Sequence, residues 1–173
     1  MKQILGVGLL LAFSAFAQAS LGQPSKDDPW KPFQFMTGEW VGEGTGAPGE
    51  GSGGFSLQFD LERNVLVRKN YAEYPAQGGR AATRHEDLMI IYLDEPSRRP
   101  RAIYFDTEGH VIRYAISAAG GGLVFESEAG EAGPRYRLSY TPGGERIKGK
   151  FEMSAPGESQ YKTYLDFAVR RKP

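Results

Sequence analysis

The chain has 173 residues, with 21 Lys and Arg balanced by 21 Asp and Glu, 23 Gly, 11 Pro, 10 Phe, 9 Tyr, 2 Trp and no Cys. That length suits one domain, and zero net charge provides no field to draw the protein to nucleic acid or to an acidic membrane surface. Without thiols there is no disulfide framework, no thiolate metal centre and no Cys nucleophile.

The chain opens as an export signal. Lys2 forms a short positive region, Ile4 to Phe16 is apolar, and Ala17-Gln18-Ala19 is a small-x-small cleavage site, so residues 1–19 are read as a bacterial signal peptide. The apolar run falls short of the roughly 20 residues a spanning helix needs, so stable membrane insertion is not expected. A periplasmic or secreted location follows, where a Cys-free chain folds without an oxidation step. Residues 20–32 are polar and carry Pro24, Pro29 and Pro32, which predicts a flexible leader. Residues 32–37 predict a short helical turn plugging one end of the domain.

From Glu39 onward the pattern is period-two alternation broken by turn residues, with no helical segment between strands. The first strand is read over 39–45, and the Gly-rich stretch 46–54 as a mobile loop. The second, 55–62, alternates Phe55, Leu57, Phe59 and Leu61 with Ser56, Gln58, Asp60 and Glu62. The third spans 65–74 and is followed by a polar loop over 75–83. The fourth spans 87–93; its Leu88-Met89-Ile90-Ile91 run is apolar on both faces, so its outer side needs cover or lies where the sheet flattens. Six more strands follow at 101–106, 110–117, 123–128, 135–141, 146–153 and 160–170. They are separated by turns at Gly109, Gly120-Gly121-Gly122, residues 130–134, Pro142-Gly143-Gly144 and Pro156-Gly157.

Ten strands joined by short connections predict an all-β fold that closes into an up-and-down antiparallel barrel, since closure removes exposed edges. The domain is placed at residues 33–171. A β-sandwich is the alternative, but it needs long crossovers that this chain lacks. A ten-stranded barrel is wide enough to hold a ligand or to be filled by its own side chains.

The segment Phe35-Met36-Thr37-Gly38-Glu39-Trp40-Val41-Gly42-Glu43-Gly44 resembles the opening of the nitrobindin-like barrels and of a related group of secreted bacterial lipocalin-like proteins. Both share Phe/Leu-x-x-Gly-x-Trp-x-Gly at the first strand. Residues 104–112, Tyr-Phe-Asp-Thr-Glu-Gly-His-Val-Ile, are similar to the second group. The resemblance implies a structural latch: Gly38 and Trp40 at the barrel end, beneath Arg170 or Arg171 of the last strand. A cation–π contact there is worth about 0.5–2 kcal/mol. In nitrobindins a His near the C-terminal strand ligates haem. This chain has only His85 and His110, and its last strand has no His, so that ligand does not carry over.

The residues expected to line a pocket are Phe59, Arg68, Asn70, Tyr104, His110, Ile112, Tyr114, Tyr136, Tyr140 and Phe151, on the inward faces of their strands. Tyrosine hydroxyls within an apolar lining are the usual composition of a small-molecule site. Arg68 and Asn70 add a polar floor. Alternation points His110 inward or to the rim, where it serves as a polar handle or orders the turn with Asp106 or Glu108. His85-Glu86-Asp87 reads as a solvated charge cluster at a strand start, because strand neighbours face opposite ways. No Gly-x-Ser-x-Gly elbow is present, and no catalytic or metal-ligating set is assigned. The sequence thus predicts an exported barrel that carries or senses a small apolar or amphipathic ligand. The alternatives are a haem protein ligated through His110, and a filled barrel serving as a structural or interaction module.

Overall fold

The computed structural model describes residues 28–44, 51–128 and 133–173. The expected signal peptide, residues 20–27 of the leader, residues 45–50 of the Gly-rich loop and residues 129–132 lie outside that set. Ten strands follow one another: β1 (Gly38–Gly42), β2 (Ser52–Asp60), β3 (Val65–Tyr74), β4 (Thr83–Leu93), β5 (Pro100–Asp106), β6 (Val111–Ala119), β7 (Gly122–Ser127), β8 (Arg135–Gly143), β9 (Arg146–Ser154) and β10 (Lys162–Arg171). Each pairs antiparallel with the next, and β10 returns to β1, so the sheet is a closed all-antiparallel barrel.

Hairpin register accounts for the strand ends that differ from expectation. β4 begins at Thr83 rather than at 87, because Thr83 to Glu86 pair with Tyr74 to Tyr71 across the hairpin. The outer apolar side chains of β4 are covered from within the sheet. Leu88 sits opposite Phe105, and Ile90 lies between Val67 and Ile103. Such cross-strand pairs shield one another without a second layer.

The barrel has two unlike ends. At the end where β1 starts, a 3-10 helix (Lys31–Met36) buries Phe33 and Met36 completely. Trp30 joins them, edge-on to Phe33 at 5.8 Å and to Phe59 at 5.9 Å. The ordered fold therefore reaches back to Trp30, inside the stretch expected to be a flexible leader. From here a chain of rings runs through the interior: Trp40, Phe55, Tyr140, Phe125 and Tyr114, with successive centres 5.9–6.3 Å apart. Leu57, Leu66, Met89, Ile91 and Ile147 complete this packed half. Phe167 reaches in because Gly149 faces it; a Cβ on Gly149 would stand 2.0 Å from its ring.

Gly38 and Trp40 tie the strand ends together at this closed end. Trp40 is 2% exposed, and its indole N–H donates to the Met36 carbonyl at 2.8 Å. Arg171 lies over the indole, its guanidinium carbon 4.5 Å from the ring centre, and donates to the Thr37 carbonyl at 3.2 Å. Gly38 has φ +113°, and a Cβ there would stand 2.7 Å from the Arg171 guanidinium. Conformation and close approach both require glycine. Of the two candidate arginines only Arg171 makes this contact. Arg170, opposite Val41, alternates to the outer face and is exposed.

Candidate functional site

The opposite end holds the polar interior. Here β3 and β5 end and β4 and β6 begin, so their inward residues gather: Arg68 and Asn70, His85 and Asp87, and Tyr104 and Asp106. Arg68 is only 5% exposed, and its guanidinium donates to Asp87 Oδ1 at 2.7 Å. The Asn70 amide donates to Asp87 Oδ2 at 2.7 Å. Burial opposes the charge on Arg68, but Tyr140 and Asp87 more than offset it and hold its pKa above the ordinary value.

Asp87 was expected in a solvated cluster. Its side chain is instead 5% exposed and paired to Arg68. It shares the inward face of β4 with Met89 and Ile91, which are fully buried. Glu86 alternates outward and pairs with Arg84 at 2.8 Å, as an exposed charge does.

A hydrogen-bonded network continues toward the rim. Tyr104 donates to Asp106 Oδ2 at 3.2 Å and lies 3.3 Å from His85 Nε2. His85 Nδ1 meets Glu108 Oε2 at 2.8 Å. Asp106 Oδ1 accepts the backbone N–H groups of Glu108 and His110 at 3.1 and 2.8 Å, and Oδ2 meets His110 Nδ1 at 2.8 Å. Burial, Asp87 and Asp106 push the Tyr104 phenol far above its usual range, so it remains a neutral donor.

Of the roles expected for His110, the turn-ordering one with Asp106 is observed, and the pocket-lining one is not. Gly109, at φ +88°, interrupts the alternation before β6 begins, and the imidazole is 62% exposed. It braces the turn through Asp106 and does not line the interior. The residues present therefore do not fit haem: the last strand offers no imidazole, and the His110 imidazole is exposed and held by Asp106.

Ligand atoms of His85, Asp106 and Glu108 lie within 4.8 Å of one another, close enough for a cation. Both Asp106 oxygens are already engaged, however, and His85 is bonded at both nitrogens. The cluster is closed as a hydrogen-bond network.

Facing this polar wall is an apolar one. Ile112 stands opposite Tyr104 on β6. Tyr136 and Phe151 stack at 5.9 Å with an interplanar angle of 11°, and Phe167 lies beyond. A bulge in β10 between Thr163 and Leu165 turns Tyr164 edge-on to Phe151 at 6.0 Å. Bulges at barrel rims re-aim side chains in this way. These residues are half-buried or exposed, unlike those of the packed half. The open end thus carries polar side chains on β3 to β5 and aromatic ones on β8 to β10.

The expected lining residues thus divide by position. Arg68, Asn70 and Tyr104 form the polar wall, while Ile112, Tyr136 and Phe151 form the apolar one. Tyr114 and Tyr140 are buried among the rings of the packed half. Phe59 lies at the closed end, against Trp30 and beneath Arg63 at 3.9 Å. Two surface depressions lie elsewhere: one of about 590 Å³ beside the Tyr74–Thr83 connection, and one of about 330 Å³ on the outer wall around Ser56, Lys69 and Lys172. The second touches Asn70, but neither is lined by Arg68, Asp87 or Tyr104.

Two titrations set a pH dependence. Burial lowers the His85 pKa, but the Glu108 bond and the charges of Glu108, Asp87 and Asp106 raise it further, so the net shift is upward. Its stabilisation is complete below the unfolded value near 6.5 and is lost as pH rises through the folded value. Burial raises the Asp106 pKa, but bonds from His110 and Tyr104 outweigh that and lower it. Its contribution is present above about 3.9 and is lost as pH falls through the folded value. Urea midpoints should therefore decline from about pH 6.5 upward, and His85→Gln should flatten that slope. An equal slope in wild type and variant would show that His85 is not the group.

No protein-family model matches the chain, and no curated protein matches it.

Proposed function

We propose that this protein is an exported carrier or sensor that holds a small amphipathic molecule in a cup at the open end of its barrel. One observation carries the reading. A polar set, the buried Arg68–Asp87 pair with half-buried Asn70 and Tyr104, shares the open end with the half-buried aromatic pair Tyr136 and Phe151, while the other half of the barrel is packed. An apolar lining with a few converging polar groups is the common form of a small-molecule site. Export rests on Lys2, the apolar run to Phe16 and the Ala17-Gln18-Ala19 cleavage site.

The network offers binding chemistry rather than reaction chemistry. Its carboxylates are tied up in bonds to Arg68, Asn70, His85 and backbone N–H groups, and the hydroxyl beside His85, that of Tyr104, donates to Asp106. Native mass spectrometry of protein purified from its own host tests the proposal. The expected result is added mass of one small organic molecule, reduced at least tenfold in occupancy by Phe151→Ala. Consistently empty protein with a solid core would sink it. That outcome would favour a structural or interaction module, the reading supported by the packed half of the barrel.

A further inference from the structure

Among the described residues, two buried side-chain polar atoms have no hydrogen-bond partner: Arg68 Nε and the Tyr140 hydroxyl. Both belong to side chains at least nine-tenths buried, and Tyr140 is completely so. An unpaired buried donor costs about 1–3 kcal/mol, so each such group calls for an occupant. The two side chains are neighbours: the Arg68 guanidinium carbon lies over the Tyr140 ring, 5.8 Å from its centre. Burial pushes the Tyr140 phenol up to about 12, so it keeps its proton and can donate it.

Charge selects what can serve the two groups. The one positive charge of Arg68 is already matched by Asp87, and Asp106 holds a second, largely buried carboxylate nearby. An incoming anion would meet two carboxylates with no free cation. An ammonium would enter with donors only and leave Arg68 Nε–H unpaired. A neutral acceptor satisfies the orphaned groups without adding charge to a low-dielectric site.

We propose that the molecule held in the cup presents an uncharged hydrogen-bond acceptor, a carbonyl or amide oxygen, to Arg68 and Tyr140, with its apolar part against Tyr136 and Phe151. This rests on the ligand-binding reading of the cup. Titration calorimetry at pH 7.5 with octanamide, octanoate and octylammonium separates the two ideas, because the tails are the same. Octanamide should bind at least tenfold tighter than either ion. Tyr140→Phe removes a hydroxyl that has no partner in the fold, so its urea midpoint should not fall. It should weaken octanamide about fivefold while leaving octanoate unchanged. Equal binding of all three probes, or tighter binding of octanoate, would overturn the inference and leave the cup standing. Binding of none would overturn both. A single ordered water bonded to Arg68 and Tyr140 in the octanamide complex would overturn the inference alone. If Tyr140→Phe fails to fold, the three-probe ranking on the unaltered protein decides.

Discussion

Asp87→Ala should cost about 3–5 kcal/mol of stability, because it leaves the Arg68 guanidinium charged, buried and unpaired. The pair is 2.7 Å apart with both side chains nearly inaccessible, so solvent cannot take over the lost partner. Arg68 Nε already lacks a bond, which leaves the cation little alternative satisfaction. For a domain of this size the loss corresponds to roughly 10 °C or more in Tm. Urea and thermal unfolding followed by circular dichroism measure it. A loss below about 1 kcal/mol would mean that Arg68 finds another partner or swings into solvent.

The same physics predicts an asymmetry. Replacing both partners by apolar residues of similar volume, Arg68→Met with Asp87→Leu, should be close to neutral, since two desolvation penalties vanish together. A pair that is neutral to replace but costly to break is not kept for stability. Under the proposed binding reading the pair serves the ligand: Asp87 orients the Arg68 guanidinium, and Asn70 holds the other carboxylate oxygen. The double variant should therefore fold and bind octanamide at least tenfold more weakly.

Much of this was legible where alternation is unbroken. β3 occupies residues 65–74 as read, and the ten strands follow in the expected order with the expected closure. The first four residues of β4 were not legible, because Thr83-Arg84-His85-Glu86 has no apolar member and is held by hairpin register. Trp30 was passed over as part of a polar leader, although a lone Trp among polar residues is itself a sign of anchoring. Asp87 carried a usable signal: it is two residues before Met89 and four before Ile91, hence on the buried face. Reading charge as solvent exposure overrode that alternation. His110 orders its turn with Asp106, as one of its two expected roles has it; its place among the lining residues carries alternation backward across Gly109, where the positive φ ends it. Arg171 could have been chosen over Arg170 from Val169 alone, because Val169 faces inward and so does the residue two further on. The pairing of Arg68 with Asp87 joins residues 19 apart on neighbouring strands and needed the register.

Trp40→Ala should cost about 3–5 kcal/mol, the range for deleting a large buried aromatic. Arg171→Ala should cost only about 0.5–1 kcal/mol, because Arg171 is exposed and a cation–π contact at an exposed site is worth no more. The latch named for its Trp and Arg is thus unequal in its parts. Trp40 stacks on Phe55 at 6.2 Å, bonds the Met36 carbonyl through its indole N–H and buries nearly all its surface. Removing it opens a cavity and orphans the contact between β1 and the 3-10 helix. Trp40→Phe separates these effects: it keeps most of the buried area and loses the indole bond, so it should fall between the two. The cup lies at the other end of the barrel, so octanamide affinity in Trp40→Phe should stay within about twofold of wild type. A larger loss would show that the closed end and the proposed site are coupled through the chain of rings from Trp40 to Tyr140.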